Sequence, residues 1–298
     1  MTTTEAAAYN YVRRGVARTR AELARVMRVS RPTASTVTES LISSGLLCDG
    51  GKCRSSGGRS PTLLIPRADA FSLIGVDLNG SGRLVGVRVD ALGNIIAREG
   101  ETVETVDPER LAAGIISLWD RLDPDFSALG IGIAVERGAA DGEVLMKLLR
   151  RRLIGKYIHF TERLTSAALS EGFRGGAGAE RDYLFLSLEE TLESVLCIGG
   201  RPFPGAHGAA GELSRLSVAD AAAASEEFAA QCAAVLRCVL SVLDPGAVVL
   251  AGRFSDRAGV FPGLLERSLD SFDCRIVTAK FGEFSAARGA ALQTHCSI

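Results

Sequence analysis

The spacing of apolar and polar positions divides the chain into short helical and strand-like segments. Residues 4–14 offer Ala6, Ala7, Tyr9 and Val12 to one helical face, and Gly15 closes that segment. Over 19–44 the apolar positions recur at Ala21, Leu23, Ala24 and Met27, pause, and recur at Ala34, Val37 and Leu41. That pattern predicts a helix, a short turn and a second helix. Ser30 suits the N-cap of the second helix, and Pro32 falls in its first turn, where a missing N–H costs nothing. Two short strands, 46–48 and 62–65, then flank a long polar hairpin over 49–61. The whole reads as a winged helix-turn-helix over residues 1–66, with the link to the body at 65–70.

Beyond 67 the period changes. Strands are predicted at 71–77, 83–90 and 94–99, then a helix at 108–122 with Leu111, Ile115, Leu118 and Trp119 inward. A strand at 128–135, a basic amphipathic helix at 143–154, a strand at 156–160 and a helix at 162–173 follow. The glycine-rich stretch 175–179 marks a hinge near 175–180, and the pattern then starts again. Strands at 182–188 and 193–198 precede a long Ala-rich helix at 217–243, a strand at 247–251, a helix at 260–270, a strand at 274–278 and a closing helix near 284–295. Strands grouped first and then alternating with helices, twice over, predict an α/β body of two similar lobes, about 67–176 and 177–298.

Charge changes this picture more than composition does. The 298 residues carry a net charge of −1, but residues 1–64 hold nine Arg and one Lys against Glu5, Glu22, Glu39 and Asp49. That gives +6 for the head and −7 for the remainder. A basic head on an acidic body is the electrostatic footprint of phosphate binding at one end. The N-terminus is polar and no apolar run reaches membrane-spanning length, so a cytoplasmic protein is expected. The seven cysteines are scattered and suggest neither a disulfide framework nor a C-x-x-C metal site; Cys48 and Cys53 could pair across the wing.

The head carries residue types suited to reading DNA. Opposite the buried stripe of the second helix lie Pro32, Ser35, Thr36 and Glu39, with Ser30, Arg31 and Thr33 at its start. Short polar side chains let such a helix approach base edges in a major groove, where hydroxyls and Arg can bond. The wing holds Lys52, Arg54 and Arg59, the last between Gly57, Gly58 and Pro61. A Gly-Arg-Pro hook of this kind can put an arginine into a narrow minor groove. Arg20, Arg25 and Arg28 are placed to hold the DNA backbone if they face it. The competing readings are a helical hairpin used for packing and an ordinary loop.

Four stretches resemble the ROK family (repressor, open reading frame, kinase): Ser30-Arg-Pro-Thr, Ser55-Ser-Gly-Gly-Arg-Ser-Pro61, Ile74-Gly-Val-Asp-Leu-Asn-Gly80 and Pro204-Gly-Ala-His-Gly-Ala-Ala-Gly-Glu-Leu213. The resemblance implies a winged helix-turn-helix joined to an actin-like (ribonuclease H-like), two-lobed kinase-type fold. In that family the body either phosphorylates sugars or senses them. Phosphoryl transfer needs a general base and a cradle for the phosphates. In the family the base is an Asp at the start of a helix; here Arg163 stands at that position, and a guanidinium is no base at neutral pH. Glu162 is one residue away from it. The family's second glycine-rich phosphate turn is matched by Glu189-Glu-Thr-Leu-Glu193, with three carboxylates and no glycine. In the first phosphate loop Asp77, Gly80 and Ser81 remain, which reads equally as a strand-end turn. The family's zinc-binding His and cysteine segment are absent after Glu212-Leu213, where Ser214 and Arg215 follow.

The residues together predict a DNA-binding transcriptional regulator, in the repressor sense, with no catalytic residues, no metal and no cofactor. Its expected partners are double-stranded DNA carrying a palindromic operator, a second copy of the chain or a higher homo-oligomer, and a small-molecule effector, with no membrane. The candidate effector site is Arg163, His207, Glu212 and Arg215, whose basic members suit an anionic ligand. The alternatives are an active sugar kinase of the same family and an interaction protein whose body docks on a partner.

Overall fold

The computed structural model describes residues 1–52, 61–78, 82–103, 107–136, 142–188, 192–213, 226–252 and 260–294. The head begins with α1 (Thr3–Arg13), entered through a capping box in which Thr2 and Glu5 satisfy each other's backbone amides. Helix α2 (Arg20–Met27) is capped by Thr19, and α3 (Arg31–Ser43) by Ser30, with Pro32 in its first turn as the sequence predicts. Strands β1 (Leu47–Lys52) and β2 (Thr62–Pro66) pair antiparallel, and Thr19 bridges to Leu63. The head core is Ala8, Tyr9, Val12, Ala17, Leu23, Leu41, Leu47 and Leu64. Two details differ from the apolar pattern. Ala21 is exposed, and the buried side of α3 is Ala34, Thr38 and Leu41, with Val37 only half-buried. Thr38 is tolerated there because its hydroxyl donates to the carbonyls of Ala34 and Ser35.

The body holds two five-stranded sheets of one design. The first runs β5 (Ile95–Thr102), β4 (Arg83–Asp90), β3 (Ser72–Leu78), β6 (Gly130–Val135), β7 (Tyr157–Glu162). The second runs β10 (Arg201–Pro202), β9 (Leu192–Ile198), β8 (Tyr183–Leu188), β11 (Ala247–Ala251), β12 (Arg275–Thr278). In each, three antiparallel strands precede two parallel additions on the other side of the first strand. This repeated order is the actin-like, ribonuclease H-like arrangement. The two-residue β10 was not foreseen, being too short to show a period, and β5 runs three residues further than its predicted end.

Helices α4 (Pro108–Leu122) and α5 (Gly142–Arg152) cover one face of the first sheet, with Ile115, Leu118, Trp119, Leu145 and Leu149 packed on Ile74, Val76, Ile131 and Ile133. Helices α7 (Glu226–Leu243) and α8 (Val260–Ser268) cover one face of the second. The predicted helical stretch 217–225 lies outside the described residues. Between the two sheets sit α6 (Arg163–Gly172) and the last helix, α9 (Ser285–Thr294), in a core of Ala134, Ala167, Ala168, Tyr183, Phe185, Val249, Ala286 and Ala290. That layer is thin because its residues are small. A Cβ on Gly75 or Gly132 would run into the carbonyls of Ala287 or Ala290, and one on Gly289 into that of Ser166.

One buried carboxylate ties this layer together. Glu171 accepts from the amides of Gly176 (2.7 Å), Lys280 (2.9 Å) and Phe281 (3.1 Å) and from the Ser285 hydroxyl (2.7 Å). Opposite it, buried Arg288 donates to the carbonyls of Gly93, Ser170 and Phe173. Burial lowers the pKa of that guanidinium to about 10, with Glu171 acting the other way.

Candidate nucleic-acid interface and body cleft

Helix α3 presents a graded surface. Ala34, Thr38 and Leu41 face the head core, while Arg31, Pro32, Thr33, Thr36 and Glu39 are exposed and Ser35 is half-buried. The Ser30 hydroxyl accepts from the Thr33 amide (3.2 Å) and lies 2.7 Å from the Thr33 hydroxyl, so both residues serve the cap as well as any ligand. The Thr36 hydroxyl donates to the Pro32 carbonyl (3.2 Å), which leaves its lone pairs outward. Arg20 turns toward the base of the wing and pairs with Asp49 at 3.2 Å, a contact that periodicity does not reveal. Arg25 and Arg28 are exposed. The wing arginines Arg54 and Arg59 lie outside the described residues, as do Cys53 and the Lys52 side chain.

In the body, β3 alternates so that Gly75 and Asp77 share the face toward α9. Asp77 is 1% exposed, and Arg163, the first residue of α6, donates from Nε to both its oxygens at 3.0 and 3.1 Å. Burial pushes the Asp77 carboxyl up to about 6, the Arg163 charge and hydrogen bonds act downward, and Glu136 adds to the rise. Glu162 accepts from the amides of Leu164 (2.9 Å) and Thr165 (2.7 Å), capping α6. Its carboxylate is thus aimed along the helix end. Thr161, Ser166 and Gln293 form a hydrogen-bonded chain beside it.

Of the candidate effector site, Arg163 engages Asp77, 86 positions earlier. His207 is exposed in the 204–213 loop, which packs on β9 through Gly211 against Leu196 and through the Ser194 hydroxyl on the Gly211 carbonyl. Glu212 is half-buried, and Arg215 lies outside the described residues. What the sequence does contain is the clue to the pair that was missed: a basic residue at 163 and an acid kept at 77. A groove of about 740 Å³ between α4 and α5, lined by Ala112, Ile116, Leu148 and Arg151 among others, includes neither Asp77 nor Arg163. Among the described residues no group of three His, Cys, Asp or Glu could hold a metal ion. No helix among them is long and apolar enough to cross a membrane. Burial pushes the thiols of Cys197, Cys232 and Cys274 up to about 11, 12 and 11, which keeps them protonated.

No family model matches the chain. It is similar to a putative xylose repressor of Caldicellulosiruptor sp. (strain Rt8B.4), 25% identical over 220 residues, covering 67% of this chain and 54% of that protein. It is similar also to the xylose repressor of Bacillus subtilis (strain 168), 21% identical over 217 residues, covering 67% and 56%. The chain thus spans about half the length of the curated relatives it matches. A ROK family transcriptional regulator described as a homologue of the E. coli MLC protein superposes with a TM-score of 0.73 at 14% identity, over 98% of this chain and 95% of that one. The ROK hexokinase of Thermus thermophilus gives 0.61 at 17% identity, over 76% and 99%. The expected resemblance in fold and sequence is therefore borne out.

Proposed function

We propose that the chain, a ROK-type protein in sequence likeness and in fold, is a sequence-specific DNA-binding transcriptional repressor whose body has lost phosphoryl transfer. The observation that carries the reading is α3: a helix capped at Ser30, anchored by Ala34, Thr38 and Leu41, with Arg31, Pro32, Thr33 and Thr36 exposed along its N-terminal half. The +6 charge of residues 1–64 and the repressor names of the similar proteins support it. Residues 1–66 form the DNA-reading head and 67–298 the body, in lobes about 67–176 and 177–298. Two copies of the chain set two α3 helices about one duplex turn apart on a palindromic operator. Arg31, Pro32, Ser35 and Thr36 read base edges, and Lys52, Arg54 and Arg59 reach phosphate or the minor groove. The protein works in the cytoplasm.

The Arg163–Asp77 pair supports a body without kinase activity. Where a base would accept a hydroxyl proton there is a guanidinium, and the neighbouring carboxylate is neutralised by it. The neighbouring acid, Glu162, is bound to backbone amides. The body then serves as a sensor for a small-molecule effector.

Retention of sheared genomic DNA by the full chain at about 0.15 M salt, where non-specific phosphate binding is weakened, tests the reading. Enrichment of one palindrome is expected, with no ADP release from ATP in the presence of hexoses. Sequence-independent retention overturns the regulator, and hexose-dependent ADP release overturns the inactive body.

A further inference from the structure

The head's first helix enters the body with its charged end. Arg13 in the last turn of α1 is 3% exposed, and its guanidinium donates to the Ala91 carbonyl (3.2 Å) in the turn between β4 and β5. The Tyr9 hydroxyl, one turn earlier, donates to the same carbonyl (3.3 Å). The Arg13 guanidinium also lies 4.8 Å from the centre of the Phe173 ring, at the C-terminal end of α6. From the body, Arg174 reaches back to the Arg13 carbonyl (3.1 Å). Phe71, directly before β3 of the body, packs on Tyr9, ring centres 6.2 Å apart.

The receiving surface is held rigidly. Gly93, two residues from the Ala91 acceptor, gives its carbonyl to Arg288 of α9 (2.8 Å). Asp90 closes the same turn by accepting from the amides of Leu92 and Asn94, each at 2.9 Å. Arg288 grips the Phe173 carbonyl as well (2.9 Å), so the turn and the ring are fixed by one guanidinium. Lys280 in turn donates to the Arg174 carbonyl (3.1 Å).

A connection between a small module and its body is mobile by default, unless the interface is extensive. Here a buried charge argues the opposite. Taking a guanidinium out of water is costly and is sustained only where fixed acceptors and an aromatic face wait for it. Other arginines of the head, Arg14, Arg18, Arg25, Arg28 and Arg31, stay exposed. Arg14 also lies over the Phe173 ring, 6.0 Å from its centre, but Arg13 is the one of these six whose guanidinium is buried in the body.

We propose that Arg13, with Tyr9, Phe173 and Arg174, is a latch that fixes the head on the body and thereby sets the spacing between operator half-sites that the protein accepts. Arg13 is a positioning residue and touches no DNA in this scheme. The inference deepens the regulator reading and rests on it for its DNA consequence. In a dimer held through its bodies, the distance between two α3 helices is as well defined as each head–body joint. A loose joint leaves base recognition in each half-site intact but lets the heads reach several spacings, and it lowers the effective concentration of the second head once the first is bound.

Two measurements on the full chain separate this inference from the reading beneath it. The first needs no DNA. Limited trypsin cleavage at Arg67, in the linker, is compared in wild type, Arg13→Gln, Arg13→Lys and Arg174→Ala. Arg13→Gln should be cut several-fold faster, and Arg13→Lys, which keeps the charge and a donor, should lie near wild type. The thermal unfolding of the body, followed by Trp119 fluorescence, should be the same in all four. The second offers a duplex pool of paired half-sites at varied spacing. Wild type should select one spacing; Arg13→Gln should select the same half-site at several spacings, with affinity for the original falling about tenfold. Equal cleavage of wild type and Arg13→Gln overturns the latch, whatever happens with DNA. Unequal cleavage with an unchanged single spacing overturns its role in operator choice. Selection of no sequence by wild type overturns the regulator reading while the cleavage comparison still decides the latch.

Discussion

Replacing Arg163 by Met would leave the Asp77 carboxyl buried without the guanidinium that now binds both its oxygens at 3.0 and 3.1 Å. The consequence depends on pH, and the sign can be worked out. Burial already holds Asp77 at about 6 against an ordinary 3.8. A difference of roughly two units at 1.36 kcal/mol each makes its ionised form cost about 3 kcal/mol at neutral pH. Because the folded value is raised, the folded state holds the proton more tightly, and stability falls as pH rises from 3.8 through about 6. Without Arg163 the folded value moves higher, so stability keeps falling beyond that window. Breaking a buried pair costs about 3–5 kcal/mol, and here that loss should appear at about pH 8 and largely vanish at about pH 5.5. Denaturant titration read by Trp119, the only tryptophan and a core residue of the same lobe, reports it. The double substitution Asp77→Asn with Arg163→Met should recover most of the stability at the higher pH. A loss of equal size at both pH values, or none at either, would show that Arg163 does not hold a buried carboxylate.

Further consequences follow from single contacts. Glu171→Gln keeps the shape but replaces one acceptor oxygen by a donor facing backbone amides, so unfolding free energy should drop by roughly 1–3 kcal/mol in denaturant titration. Ser30→Ala removes the acceptor for the Thr33 amide and should cost the head about 1 kcal/mol, seen as a lower denaturation midpoint. Arg59→Ala should weaken operator binding by roughly 1–3 kcal/mol, most at an A·T-rich flank, in titrations at fixed salt; unchanged affinity would remove the wing hook.

Local chemistry carried much of the fold into the sequence. Ser30 and Pro32 announce the start of α3, and the alternation of Arg83–Asp90 gives β4 to the residue. The 108–122 helix likewise coincides with α4, because its apolar stripe is long and strongly periodic. What stayed hidden joins distant residues. Arg163 reaches back 86 positions to Asp77, and Arg288 reaches 195 positions to Gly93. No local pattern pairs such residues, and a buried arginine is indistinguishable in sequence from a solvated one. Arg13 shows the same limit: nothing in the sequence sets it apart from the neighbouring Arg14, and only the structure buries its guanidinium against the Ala91 carbonyl. The candidate effector site was read from substitutions against a family pattern, which locates Arg163 but does not say whom it meets.

The central claim is that the exposed row of α3 reads bases. Selection from a randomised duplex pool by the full chain and by its Arg31→Ala variant, at about 0.15 M salt, tests it most directly. The account predicts that wild type enriches a palindrome and that the variant loses preference at one position in each half-site while keeping the others. Identical enrichment by the two proteins, or retention of DNA without sequence preference by wild type, would contradict it.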